Sequence, residues 1–219
     1  MNRNTLLVTT LSIIGMMVFL VAAYMFTSGS GPAETEYQEL KSVRKSDHTK
    51  WSKNNKILFI EYSDFQCPAC GVYYNLIKNI SDDADSKKIL QNVTLVYRHF
   101  PLDSAHKNAR SAAHAAEAAG LQGKFFEFHD LLFEKQPEWS ETDKPEEIFT
   151  GYAKSLKLDL EKFKTDMNSK TVKDIVQADL VSGRDFDVQG TPTFFLNGKK
   201  IDNPPSIEEL KKVLLEGIK

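Results

Sequence analysis

Between Thr5 and Thr27 almost every side chain is apolar, and no charge interrupts the chain between Arg3 and Glu34. As a helix this stretch reaches roughly 34 Å, enough for a hydrocarbon core of about 30 Å. The pattern predicts an N-terminal transmembrane helix, a signal anchor over residues 1–27. A cleaved signal peptide has a shorter apolar region, about 7 to 15 residues, closed by a small-x-small site. Here Ala22 and Ala23 run into the bulky Tyr24, Met25 and Phe26, and no cysteine follows that could take a lipid. With Arg3 before the span and Glu34 as the first charge after it, the positive-inside bias places the N-terminus in the cytoplasm. The rest of a single-pass cell-membrane protein is then extracytoplasmic.

After the anchor the pattern changes character. Ser28-Gly29-Ser30-Gly31-Pro32 is a turn-rich spacer, and the charged stretch that follows has only weak helical periodicity, so residues 28–55 read as tether and lead-in element. Ile57 to Ser63 is a short β-rich run consistent with a buried strand. A helix is expected from Pro68 into the 80s, and Val93 to Phe100 is a second strand, ended by Pro101. The next strand is Thr193 to Leu196, turned by Asn197-Gly198 into Lys199 to Ile201, a strong hairpin signal.

Between these strands everything looks helical. Segments are expected at Ser104 to Ala119, Phe125 to Lys135, Pro145 to Leu156, Asp159 to Met167 and Val172 to Leu180, and a closing amphipathic helix at Ser206 to Ile218. A simple crossover needs about a dozen residues. The chain therefore reads as an α/β domain over 56–219 with a helical subdomain inserted at about 103–182.

A length of 219 residues suits one well-cored domain. The formal net charge of −2 gives no basic field for displacing counterions from phosphates, which argues against a nucleic-acid partner.

The chemistry must then lie with the two cysteines, Cys67 and Cys70, two residues apart where a strand hands over to a helix. As a structural staple they would close a loop worth only roughly 2 kcal/mol, against nearly 5 for a loop of about 100 residues. As half of a zinc site they lack a second pair, because His48, His99, His106, His114 and His129 show no ligand spacing. A non-enzymatic copper carrier using both thiols and one distant histidine remains a possible reading. Redox chemistry fits best. Thiol-disulfide exchange needs an exposed, stabilised thiolate, and the first turn of a helix offers free N–H groups and a positive dipole end. Pro68 suits the first helical position, where its missing N–H has no intrahelical partner anyway. Cys67 is the attacked or attacking sulfur, and Cys70, one turn further in, resolves the mixed disulfide.

With the strand before Cys67-Pro68-Ala69-Cys70, Glu61 six residues upstream, Gly190-Thr191-Pro192-Thr193 before the late hairpin and a large helical insert between, the sequence resembles the thioredoxin superfamily and its DsbA-like group. The resemblance covers most of the chain after Trp51. It implies a thioredoxin-like fold, a redox-active Cys67/Cys70 disulfide and no dissociable cofactor or metal. It also implies a cis bond before Pro192, which packs on the disulfide and, with Thr191, holds extended substrate. Glu61 would be the buried acid that manages the Cys70 proton; the alternative is that it merely pairs with a lysine. Ala69 departs from the strong oxidant of the group, which has a histidine there to help hold the thiolate, so the resemblance does not carry over the oxidising strength.

The implied activity is a disulfide oxidase acting on reduced, unfolded exported proteins and reoxidised by a membrane partner of DsbB or VKOR type. The same-class alternative is an extracytoplasmic reductase or isomerase. Phe125, Phe126, Phe128 and Phe133 are expected in the core, with a substrate groove as the lesser alternative. His106 and His114 carry no expected role.

Overall fold

The computed structural model describes Asn2, residues 13–24 and residues 35–219. Residues 13–24 form a helix, α1, with Ile13, Met17, Phe19 and most of its other apolar side chains exposed. The remainder of the expected anchor and the Ser28–Pro32 spacer lie outside the described residues. Among the described residues no helix is long and apolar enough to cross a membrane; residues 13–24 rise only about 18 Å.

Contacts divide the chain between Thr35 and Glu36, and the larger unit, Glu36–Lys219, holds every described strand. Its sheet has five strands, β1 (His48–Trp51), β2 (Ile57–Ser63), β3 (Val93–His99), β4 (Thr193–Leu196) and β5 (Lys199–Ile201), in the order β1-β3-β2-β4-β5. β2 and β3 run parallel at the centre, and the other pairs are antiparallel. The two central strands are buried on both faces, which is why they read as continuous apolar runs rather than alternation.

Alternation still sorts β2. Leu58, Ile60 and Tyr62 point to a core with Phe100, Leu180 and Phe195, while Phe59 packs on the opposite face with Ile77, Ile80, Leu210 and Leu214. The second face is covered by α2 (Pro68–Asp82) and α10 (Ile207–Glu216), the first by α9 (Lys170–Asp185). Glu61 and Ser63 share the face of Phe59 by the two-residue period, and that places them under α2.

The expected strands, hairpin and large helices are present with small shifts at their ends. β1, the short α3 (Lys87–Asn92) and α6 (Gln136–Trp139) were not expected. β1 has no alternation of its own. It exists because His48–Trp51 pairs with Tyr97–Thr94 of β3 and Trp51 Nε1 donates to Ser81 Oγ at 2.8 Å. Residues 36–55, read as tether and lead-in, thus supply an edge strand and the buried Leu40.

The insertion contains α4 (Ala109–Gly120), α5 (Phe125–Glu134), α6, α7 (Pro145–Ser155) and α8 (Leu160–Met167), and α9 leads back to the sheet. α4 touches α5, α7, α8 and α9, and its buried alanines at 112, 113, 115, 116, 118 and 119 let those helices approach closely. α4 begins at Ala109, not Ser104. The reason is Asn108, whose amide nitrogen is shared among the carbonyls of Trp139, Ser140 and Thr142 and whose N–H is taken by Gln66, so the chain is pinned before it can coil.

α9 lies so close to the sheet that a Cβ on Gly183 would meet the Phe100 ring at 2.5 Å and the Tyr62 ring at 3.1 Å. Gly183→Ala should therefore destabilise by about 1–3 kcal/mol despite the better helix propensity of alanine. In thermal unfolding the midpoint should fall by roughly 2–4 °C per kcal/mol. A midpoint at or above that of the parent would show that α9 can move away at no cost.

Candidate active site

The turn between β2 and α2 is built by Asp64, which is buried. Its Oδ1 accepts the Gln66 N–H at 2.7 Å, and its Oδ2 accepts the Leu102 N–H at 2.9 Å and lies 2.7 Å from His106 Nδ1. The Asp64 carbonyl accepts the Cys67 N–H at 3.1 Å. The helical insertion grips the same turn. Gln136 Nε2 donates to the carbonyls of Phe65 at 2.7 Å and Cys67 at 3.1 Å, while Gln66 donates to the Ser140 carbonyl at 2.7 Å.

Held this way, Cys67 is the N-cap of α2, with extended backbone, and Pro68 follows at the start of the helix. Pro68 and Ala69 are exposed. Cys67 is 7 % exposed and Cys70 0 %, both as free thiols. Cys67 is thus more enclosed than an exposed thiolate was expected to be. Part of the cover is the loop before β4, whose Thr191 carbonyl accepts from Cys67 Sγ at 3.4 Å. The Thr191–Pro192 bond is cis, and Pro192 is buried, with its carbonyl accepting from Asn203 Nδ2 at 3.0 Å. The structure therefore brings Cys67, Cys70 and Thr191 together, with Pro192 following in the same loop.

The two sulfurs are electrically opposite. A hydrogen bond from the Cys70 thiol does most to hold Cys67 as a thiolate; against the cost of burial, the N–H groups of Cys70 and Ala69 add to it, and the pKa falls to about 5. Ala69 contributes through its backbone, so the missing imidazole is not required for a low value. Burial pushes the Cys70 thiol well above its ordinary value, and the Cys67 thiolate and the Glu61 charge push it the same way.

Glu61 is 3 % exposed on β2, and burial raises its carboxyl to about 7, offset slightly by the Ser63 hydroxyl. No lysine acts on it, and its Oε1 has no hydrogen-bond partner. The lysine-pairing alternative for Glu61 has no support in this geometry.

Phe125, Phe128 and Phe133 are buried in one core with Phe65, Tyr74 and Tyr97, and Phe126 packs against it. The three buried rings fill the interior, and Phe126 lies half-buried at its edge. Among the described residues no three His, Cys, Asp or Glu side chains gather in a way that could hold a metal ion.

Asp64, Gln66, Gln136 and His106 were not anticipated at the site. Asp64 carried a signal, since an Asp that accepts from the N–H two residues on is an Asx turn. Gln136 carried none, because it arrives from 69 residues away.

Residues 46–216 match the family described as Thioredoxin. A Na(+)/H(+) antiporter NhaA 1 of Salinispora arenicola is 37 % identical over 169 residues, 75 % of this chain and 24 % of the antiporter. An antiporter NhaA of Herminiimonas arsenicoxydans is 30 % identical over 195 residues, 87 % of this chain and 28 % of its own length. The chain thus spans about a quarter of the length of these curated relatives. Among solved structures, oxidised BdbD from Bacillus subtilis superposes with a TM-score of 0.68 at 24 % identity, over 81 % of this chain and 96 % of BdbD. Wolbachia pipientis alpha-DsbA1 gives 0.68 at 20 % identity, over 82 % and 94 %. Because the family match runs from the first strand of the sheet to its last helix, the chain belongs to the thioredoxin family, and its fold is that of the DsbA-like thiol-disulfide oxidoreductases.

Proposed function

We propose that the protein is a disulfide oxidase that passes the Cys67–Cys70 disulfide to reduced, unfolded exported proteins. The observation that supports this most is the opposition of the two sulfurs: Cys67 is stabilised as an anion at the start of α2, and Cys70 is sealed beneath it as a thiol. A stabilised Cys67 thiolate favours the reduced form of the pair, which is the property of an oxidant, and makes Cys67 a good leaving group when the mixed disulfide is resolved.

A substrate thiolate attacks Cys67 Sγ, the Cys67–Cys70 bond breaks, and Cys70 leaves and takes up a proton. A second substrate thiolate then attacks the substrate sulfur of the mixed disulfide and expels Cys67 as a thiolate. Two electrons pass from the two substrate thiols to the cysteine pair. The Thr191–Pro192 loop beside Cys67 would hold the extended substrate, and Glu61 would manage the Cys70 proton. Turnover calls for a membrane partner of DsbB or VKOR type to withdraw the two electrons. The apolar N-terminal sequence supports a single-pass anchor with this unit outside the cytoplasm.

The test is reactivation of reduced, denatured ribonuclease. The oxidised protein should restore activity and its Cys67→Ser variant should not. Stoichiometric Cu(I) binding without disulfide transfer would instead establish a carrier. A reduction potential near about −270 mV, that of thioredoxin, would make the protein a reductase.

A further inference from the structure

Cys70 has to gain or lose a proton in each half-reaction, yet it is sealed from water. Around it lie three buried polar atoms without a hydrogen-bond partner: Glu61 Oε1, Ser63 Oγ and Tyr97 Oη. An unsatisfied buried group of this kind costs about 1–3 kcal/mol and calls for an explanation. Strand register puts the three together. Glu61 and Tyr97 are opposite each other in the parallel β2–β3 ladder, and Ser63 is two residues along β2 on the same face, under α2 and Cys70. Tyr97 and Cys70 belong to one packed cluster.

Ser63 is the group they share. Glu61 acts on Cys70 only through its charge, whereas the Ser63 hydroxyl, on the same strand face as Glu61, bears on the proton affinity of Cys70, of Glu61 and of Tyr97. Ser63 is bonded to none of them in the structure, so its hydroxyl is free to turn. A hydroxyl that can donate and accept at once is suited to pass a proton between two groups that do not touch.

Resting on the thiol-disulfide reading above, we propose that Ser63 is a catalytic residue carrying the proton between Glu61 and Cys70, with Tyr97 as a positioning residue for Glu61. As Cys70 leaves, Ser63 gives its hydroxyl proton to Cys70 Sγ and takes the carboxylic proton of Glu61. Cys70 ends as a thiol, Ser63 as a neutral hydroxyl and Glu61 as a carboxylate, to which the Tyr97 O–H donates. When Cys70 attacks a mixed disulfide, the same transfers run backwards. The other charged or titratable groups that face Tyr97 are Asp64 and the rings of His99 and His129.

The reduced protein should be mixed with a chromogenic nitrobenzoate disulfide across pH 5 to 9. The first nitrobenzoate is released by Cys67 attack and serves as internal reference; the second is released when Cys70 closes the disulfide. In the parent the second phase should speed up through an inflection near pH 7, where Glu61 becomes a base. Ser63→Ala should slow that phase at least about 10-fold and remove the inflection, and Ser63→Thr, which keeps a hydroxyl, should restore both. Tyr97→Phe should move the inflection upward, since the carboxylate loses a donor. An unaltered second phase in Ser63→Ala, or Ser63→Thr as slow as Ser63→Ala, overturns the relay. Should Ser63→Ala not fold, Tyr97→Phe decides: an unshifted inflection refutes the arrangement. A parent protein that shows both phases but leaves ribonuclease inactive would fail the oxidase reading alone.

Discussion

Replacing Asp47 by alanine should cost about 3–5 kcal/mol. The side chains of Asp47 and Arg98 are each about 1 % exposed, and they meet through two hydrogen bonds, Nε to Oδ1 and Nη2 to Oδ2, both 2.9 Å. The remaining guanidinium nitrogen, Nη1, donates to Tyr62 Oη at 3.0 Å, and Asp47 also accepts the Arg44 N–H at 2.7 Å. Without Asp47 the Arg98 charge stays buried at the end of β3 with a phenol as its only hydrogen-bonded partner. Burial raises the Asp47 pKa, but the bonds and charge of Arg98 outweigh it and the net value is lowered. A carboxyl lowered on folding stabilises above its unfolded value of 3.8, so the loss should be complete at pH 7 and should shrink only as pH falls through the folded value. Urea unfolding of the variant at pH 7 measures it. A loss below about 1 kcal/mol would mean that water reaches Arg98.

That pair also shows where reading the sequence stopped short. Asp47 lies in a charged stretch with only weak helical periodicity, and nothing local marks it as the anchor of an edge strand; its partner is 51 residues away. β1 likewise draws its order from β3. By contrast β2, β3 and the Asn197-Gly198 hairpin carry their apolar runs and turn residues within themselves, and Cys67 carries its helix start in Pro68. The redox site was legible to the extent that it is local or belongs to a family pattern, as with Glu61 and Thr191-Pro192. Its supports, Gln136 on the Cys67 carbonyl and Ser63 and Tyr97 beneath Cys70, depend on which face each strand turns and on where the insertion lands. Ser63 sits two residues from Glu61, but its role depends on β3 and α2 closing over it.

Glu61→Gln should make the protein more stable and a poorer catalyst. Burial raises the Glu61 carboxyl from 4.5 to about 7, so between those values the folded chain holds a proton that the unfolded chain has released. Unfolding free energy therefore falls as pH rises across this window. Below pH 4.5 the group is protonated in both states and contributes nothing; above 7 the folded protein bears the full cost of a buried carboxylate, on the order of 3 kcal/mol. Glutamine keeps the shape without the charge. Urea unfolding should find the variant equal to the parent at pH 4 and more stable by up to that amount at pH 8. The step in which Cys70 closes the disulfide should slow roughly 100-fold, the effect expected when an acid–base group is removed. The two results are linked, because the same unpaired burial that costs stability keeps the carboxyl near neutrality, where it can both give and take a proton. If the glutamine variant gains no stability at pH 8, a counter-charge must be holding the carboxylate, and Glu61 would then be too acidic to serve Cys70.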